Sequence, residues 1–167
     1  RVARESAPCV EGSCPWPRFW SVFTYDAIGR LTQIARPFSG AATQTTGISY
    51  AGLRTSVTDP LGKVSVQVED GRGRVARSID DDGYHVSFDY DAFGNPISVS
   101  DSGGRILASA TFNVRGFRDS VTDASLGSWQ FAYDALGELT SHTDANGRTT
   151  SSTWDALGRP LSRSMPE

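Results

Sequence analysis

Short runs of alternating apolar and polar residues recur along the chain. Val64–Val68, Tyr84–Tyr90 and Trp129–Tyr133 each place apolar side chains at every second position. Strict alternation over five to seven residues is typical of half-buried β-strands. No long window shows the three-to-four-residue apolar spacing of a helix. The pattern predicts an all-β fold of antiparallel strands, with one face of the sheet packed and the other in contact with water.

A tetrapeptide, Asp-x-x-Gly, punctuates these runs. From residue 59 onward its copies start 10 to 12 residues apart, and two variants, Asn113–Gly116 and Asp123–Gly127, keep the register. Such periodicity predicts an array of repeats. We assign structural turns to Asp26–Gly29, Asp59–Gly62, Asp70–Gly73, Asp80–Gly83, Asp91–Gly94, Asp101–Gly104, Asp134–Gly137, Asp144–Gly147 and Asp155–Gly158.

The tetrapeptide has the composition of a type I β-turn. Such a turn favours Asp at its first position, Pro at its second and Gly at its fourth, and Asp59-Pro60-Leu61-Gly62 meets all three preferences. The Asp carboxylate accepts hydrogen bonds from nearby backbone N–H groups, and Gly accepts a positive φ. Each turn therefore predicts a β-hairpin.

The turns are of two alternating kinds, so the unit is about 21 residues. In one kind an aromatic residue stands immediately before the turn. Residues 1–22 are interpreted as an N-terminal cap or linker, residues 23–163 as seven units and residues 164–167 as a tail. The aromatic residues are expected to form a ladder along the sheet, comprising Tyr25, Tyr90, Phe112, Tyr133 and Trp154.

Tyr133-Asp134-Ala135-Leu136-Gly137-Glu138-Leu139, followed about ten residues later by a second Asp-x-x-Gly, resembles the YD repeat of the RHS family. That family includes bacterial Rhs proteins, the B and C components of Tc toxin complexes and the teneurins. The resemblance implies a spiralling strip of β-hairpins, and seven units would make an arc of the hollow shell that larger members build around a toxic polypeptide. It also implies, as partners, the remainder of a larger RHS protein or a cargo polypeptide.

The resemblance does not extend to an autoprotease. Family members that cleave themselves carry paired Asp-Pro-x-Gly motifs, whereas this chain has one, at Asp59–Gly62, in an ordinary turn position. We therefore assign no catalytic residues and expect the chain not to be an enzyme.

Composition and charge narrow the set of partners. The net charge is −3 and the arginines are scattered, so there is no basic stripe for nucleic acid. No run of 18 apolar residues is present, so no membrane insertion is expected. Cys9 and Cys14 could close a small disulfide loop, which would indicate an oxidising compartment. We expect no cofactor and no metal.

Several residue groups invite sharper interpretations. Asp80-Asp81-Asp82 could attract Ca²⁺ but lacks the EF-hand spacing, so a solvated acidic turn is favoured. His85 and His142 are interpreted as exposed strand residues, because no nucleophile motif stands near them. For the aromatic ladder, cross-strand packing is favoured over binding of sugars or peptides.

The sequence thus predicts a structural segment of a secreted or cell-surface bacterial protein that scaffolds or encloses another polypeptide. The alternative is a carbohydrate- or protein-binding adhesion module that uses the aromatic ladder or the open sheet edges. Because unpaired strand edges promote association, self-association through those edges is also expected.

Overall fold

The computed structural model describes residues 2–6, 20–37 and 42–165, and every regular element within them is a strand. No helix in this part of the chain is long and apolar enough to cross a membrane. The predicted pair Cys9 and Cys14 lies outside the described residues. The chain divides into two compact units, Arg1–His85 and Val86–Glu167.

The first unit contains seven strands that pair in chain order, each antiparallel to the next. The first strand belongs to the region interpreted as a cap, and it pairs with the second as part of the sheet. The strands are β1 (Val2–Ser6), β2 (Trp20–Tyr25), β3 (Leu31–Pro37), β4 (Thr43–Ala51), β5 (Arg54–Thr58), β6 (Val64–Glu69) and β7 (Val75–Ile79).

The second unit repeats this arrangement. Its strands also pair consecutively and antiparallel. The prediction of an all-β fold made of tandem antiparallel hairpins is confirmed. The strands are β8 (His85–Tyr90), β9 (Pro96–Asp101), β10 (Ile106–Phe112), β11 (Arg118–Asp123), β12 (Gly127–Tyr133), β13 (Leu139–Thr143), β14 (Thr149–Trp154) and β15 (Pro160–Ser164).

The Asp-x-x-Gly turns share one geometry. At Asp26, the backbone N–H donates to the carbonyl of Arg30, and the N–H of Gly29 donates back to the carbonyl of Asp26. This is a type I turn followed by a residue in the left-handed region, where Gly29 has φ of 87°. The degenerate hairpin at Tyr50 differs. Ala51 pairs directly with Arg54, and Gly52 with φ of 61° opens a two-residue turn.

A β-bulge separates the two kinds of hairpin. The register shifts immediately before the turn in β2–β3, β6–β7, β8–β9, β10–β11, β12–β13 and β14–β15. Hairpins β5–β6, β11–β12 and β13–β14 pair without a shift, and β9–β10 shifts after its turn. At two bulges a threonine hydroxyl donates to the carbonyl across the hairpin, from Thr32 to Thr24 and from Thr140 to Ala132, both at 3.1 Å.

The described part of the chain has almost no enclosed core. Among the described side chains only Val66, at 5% exposure, and Thr150, at 8%, are buried. The accessible surface is 11778 Å² for a mass of 18.0 kDa. A compact monomer of this mass exposes about 8,000 Å². Much of the sheet surface is therefore left without a covering layer.

Candidate functional site

The carboxylates of the turns are held by the backbone. Oδ1 of Asp26 accepts hydrogen bonds from the N–H groups of Ile28 and Arg30, at 3.0 and 2.9 Å, while Oδ2 accepts one from Nε of Arg30 at 2.8 Å. The same contacts recur around Asp70, from Arg72 and Arg74. An arginine at the fifth turn position also forms the ion pair at Asp101 and Asp155.

These hydrogen bonds lower the pKa of the turn carboxyls. Backbone and side-chain hydrogen bonds from Arg74 hold the pKa of Asp70 at about 2. The first cause differs from turn to turn but is always a hydrogen bond to the carboxylate. Such carboxylates stay ionised and hydrogen-bonded at neutral pH, which suits a structural role. The carboxyls with a lowered pKa are Asp26, Asp70, Asp91, Asp101, Asp123, Asp134 and Asp155.

In the second unit, successive turns on the same edge of the sheet contact each other. The guanidinium of Arg115 donates to the carbonyl oxygens of Ala135, at 2.7 Å, and Asp134, at 2.6 Å. The ring of Phe117 stacks on Tyr133 with 5.0 Å between ring centroids. It also lies over Gly137, where a Cβ would fall 2.5 Å from the ring. These two repeats therefore contact each other through their turns as well as through their strands.

The five residues of the predicted ladder are all half-buried. Nε1 of Trp154 donates to the carbonyl of Leu139 at 2.9 Å, and the hydroxyl of Tyr50 donates in the same way to Leu31 at 2.8 Å. Arg30 lies over the ring of Tyr50 at 4.3 Å, so Tyr50 joins the ladder although the sequence prediction omitted it. These contacts support packing between repeats, and the use of the ladder as a ligand face stays a prediction.

A second aromatic cluster was not anticipated. His142 stacks on Trp129, with 6.1 Å between centroids, and on Phe131, at 6.5 Å. Both histidines are half-buried, so the expectation that they are exposed is wrong. His142 pairs with Phe131 across β12–β13, which places both on the aromatic face of the sheet. This placement could have been predicted from the sequence, because pairing β12 with β13 outward from their turn sets His142 opposite Phe131.

The opposite face of the second unit is dominated by hydroxyl groups. Neighbouring strands share side-chain hydrogen bonds between Thr111 and Ser120, Thr122 and Ser128, Thr143 and Thr149, and Thr153 and Ser162, at 2.6 to 2.9 Å. The two faces therefore differ sharply in chemistry. The register places on this hydroxyl face Ser98, Ser109, Thr111, Ser120, Thr122, Ser128, Ser141, Thr143, Thr149, Ser151, Thr153, Ser162 and Ser164.

Two further places have open space beside polar side chains, namely the turn after β7 and a groove in the second unit. At the turn after β7, Oδ1 of Asp81 accepts a hydrogen bond from the N–H of Val64 at 2.7 Å, and no group of acidic residues in the described ranges is arranged to hold a metal. An open groove of about 500 Å³ lies on the last hairpins of the second unit. Its lining comprises Leu139, His142, Ser152, Trp154, Pro160, Leu161, Ser162 and Arg163.

Two segments of the chain match a known protein family. The RHS Repeat model matches residues 70–106 and 133–167. Both segments are similar to the RHS repeat, and the resemblance inferred from the YD motif is confirmed. No curated protein matches this chain in sequence.

Solved structures share the fold of this chain. The crystal structure of TcdB2-TccC3-Cdc42 matches with a TM-score of 0.74 and 17% identity, and that of TcdB2-TccC3-TEV with 0.73 and 17%. Each match covers 89% of this chain but only 8% of the other chain. The likeness shows a common fold, and this chain spans a small part of the structures it matches.

Proposed function

We propose that this RHS-repeat chain is a structural wall element that scaffolds or encloses another polypeptide as part of a larger exported or cell-surface protein. Its action would be steric and not chemical. The strands of each unit are joined by backbone hydrogen bonds, and the turn carboxylates are occupied by backbone N–H groups.

The observation that carries this proposal is the uncovered sheet. With Val66 and Thr150 as the buried residues of the described chain, neither unit has the second layer that a self-sufficient domain packs against its sheet. A wall has two accessible faces by design, because one faces the contents and the other faces the surroundings. The fold shared with TcdB2-TccC3 structures, of which this chain matches 8%, supports a place in a much larger protein.

The experiment is to isolate the native polypeptide that carries this sequence and to measure its intact mass and its protease resistance. We expect many more repeats than this chain contains, together with a second segment that resists protease until the wall is unfolded. A native polypeptide of about 167 residues, or a partner segment digested as fast as it is in free form, would contradict enclosure.

A further inference from the structure

One face of the first unit carries an unusual group of side chains on β5, β6 and β7. Val68 on the central strand pairs with Arg54 on one side and Arg77 on the other, and Val66 pairs with Ile79. Paired residues of antiparallel strands share a face. We call this group the valine–arginine patch, and it consists of Arg54, Val64, Val66, Val68, Arg77 and Ile79.

The hairpin fold does not impose this composition. Strands β13, β14 and β15 of the second unit have the same register, with Thr143 opposite Thr149 as Thr58 is opposite Val64. A bulge precedes the following turn in both places. At the positions of Val64, Val66, Val68, Arg77 and Ile79, the second unit has Thr149, Ser151, Thr153, Ser162 and Ser164. The same backbone therefore carries hydroxyl groups in one unit and an apolar stripe with two cations in the other.

The two arginines are available to a partner. Both are exposed, and neither makes an ion pair or a hydrogen bond with the described residues, in contrast to Arg74, which is bound to Asp70. Among the residues that the described strands β2 to β7 place on this face, Arg54 and Arg77 are the only charged ones. Asp81 lies at the Val64 end of the patch, about 13 Å along the strand from Val68.

The spacing of the two strands that carry the arginines favours one shape of ligand. Strands lie about 4.8 Å apart, so Arg54 and Arg77, which flank β6, are anchored about 10 Å apart. In a polyproline II helix, residues i and i+3 lie on one side about 9 Å apart. Carboxylates with that spacing could each meet one arginine fork, and the residues between them would lie on Val68, which pairs with both arginines.

We propose that the valine–arginine patch binds an acidic segment of polypeptide that crosses β5 to β7 in the polyproline II conformation, with carboxylates three residues apart. Bidentate arginine–carboxylate pairs supply specificity at the two ends. The apolar stripe between them favours proline or another small apolar residue at the centre. This inference does not depend on the proposed wall function, because it concerns a surface of the chain itself.

The test is a titration of the full chain with a fluorescent peptide of three Glu-Pro-Pro repeats, followed by anisotropy. We expect saturable binding that weakens as salt rises, and a loss of about tenfold in affinity for each of Arg54→Gln and Arg77→Gln. Arg36→Gln is the matched control, because Arg36 is exposed on the opposite face of the same unit. Its affinity should be unchanged.

Three peptide results would overturn the proposal. They are no binding at millimolar peptide, equal binding of a Gln-Pro-Pro peptide, and an equal loss in Arg36→Gln. A tighter complex with a single-stranded oligonucleotide, lost in the same two variants, would also overturn the assignment to polypeptide. Circular dichroism of each variant separates loss of binding from loss of the sheet.

Discussion

Hairpins β5–β7 of the first unit and β13–β15 of the second have the same strand register and carry different chemistry. In the first, Val66 is buried and lies between Ser56 and Ile79. In the second, Ser151 occupies the equivalent place and is exposed between Ser141 and Ser164. Turns and bulges therefore set the backbone of a repeat, whereas the side chains on its two faces are free to vary.

The largest expected effect concerns the turn glycines, because a side chain lies close to Gly137 in the second unit and none lies close to Gly62 in the first. Gly137→Ala in the second unit must place a Cβ at φ of 92° and 2.5 Å from the ring of Phe117. Gly62→Ala in the first unit faces a φ of 85° but open space. We expect a loss in the free energy of unfolding of about 2–4 kcal/mol for Gly137→Ala and about 1–2 kcal/mol for Gly62→Ala.

Urea unfolding of both variants checks this order. In a Phe117→Ala background, the further loss caused by Gly137→Ala should fall to that of Gly62→Ala, because the ring contact is then absent and only the strained φ remains. Equal losses at Gly62 and Gly137 would show that the ring of Phe117 yields without cost.

The next effect concerns the face that differs between the units. Val66→Ser converts the buried valine to the residue found at Ser151, and we expect a loss of about 1–2 kcal/mol in the free energy of unfolding. The reverse change, Ser151→Val, adds an apolar side chain at an exposed strand position and should change stability by less than about 0.5 kcal/mol. Urea unfolding measures both. A gain in stability for Val66→Ser would refute the packing role of Val66.

Acid titration tests the turn carboxylates of both units. The folded pKa of Asp70 is about 2, below its ordinary value of 3.8. A lowered folded pKa contributes stability that is complete above the ordinary pKa and is lost as pH falls toward the folded pKa. We expect the free energy of unfolding to decline between about pH 4 and pH 2. In Asp70→Asn the decline should be shallower, and an identical acid profile would contradict this account.

The smallest effect is expected on the hydroxyl face. Thr149→Val removes one partner of the 2.8 Å hydrogen bond with Thr143 but keeps a β-branched side chain. We expect a loss of about 0.5 kcal/mol or less, because the exposed Thr143 hydroxyl can bond to water instead. In the first unit, Thr58 takes the place of Thr143 and pairs with Val64. The sheet therefore already contains the threonine–valine pair that this variant would create.

The fold could be predicted from the sequence because the signals for its turns and strands lie within short segments. The Asp-x-x-Gly spacing locates the hairpins, and alternation in runs such as Trp129–Tyr133 identifies the strands. The valines of β6 lie on the face opposite to Ile48 and Val57. The sequence contains this difference in the position of Val64 relative to its turn, but it can be recognised only when β5 and β6 are paired in register.

Contacts between repeats could not be predicted in the same way. The bonds from Arg115 to Ala135 and Asp134 join residues about 20 positions apart and depend on how far one turn lies from the next. The bulges could not be predicted from the pattern either. The residue that has no pairing partner at a bulge, Thr140 for example, is of a type that is common in strands.

The most direct test of the wall compares two adjacent residues of β14 that lie on opposite faces. Ser151 is on the hydroxyl face and Ser152 lines the aromatic groove. Ser151→Cys and Ser152→Cys are made separately in the native polypeptide, with Cys9 and Cys14 replaced by Ser, and are labelled with a small maleimide and with a polymer-linked maleimide. We predict that both sites accept the small reagent and that only one accepts the large one. Equal labelling of both sites by the large reagent would contradict a wall that separates two compartments.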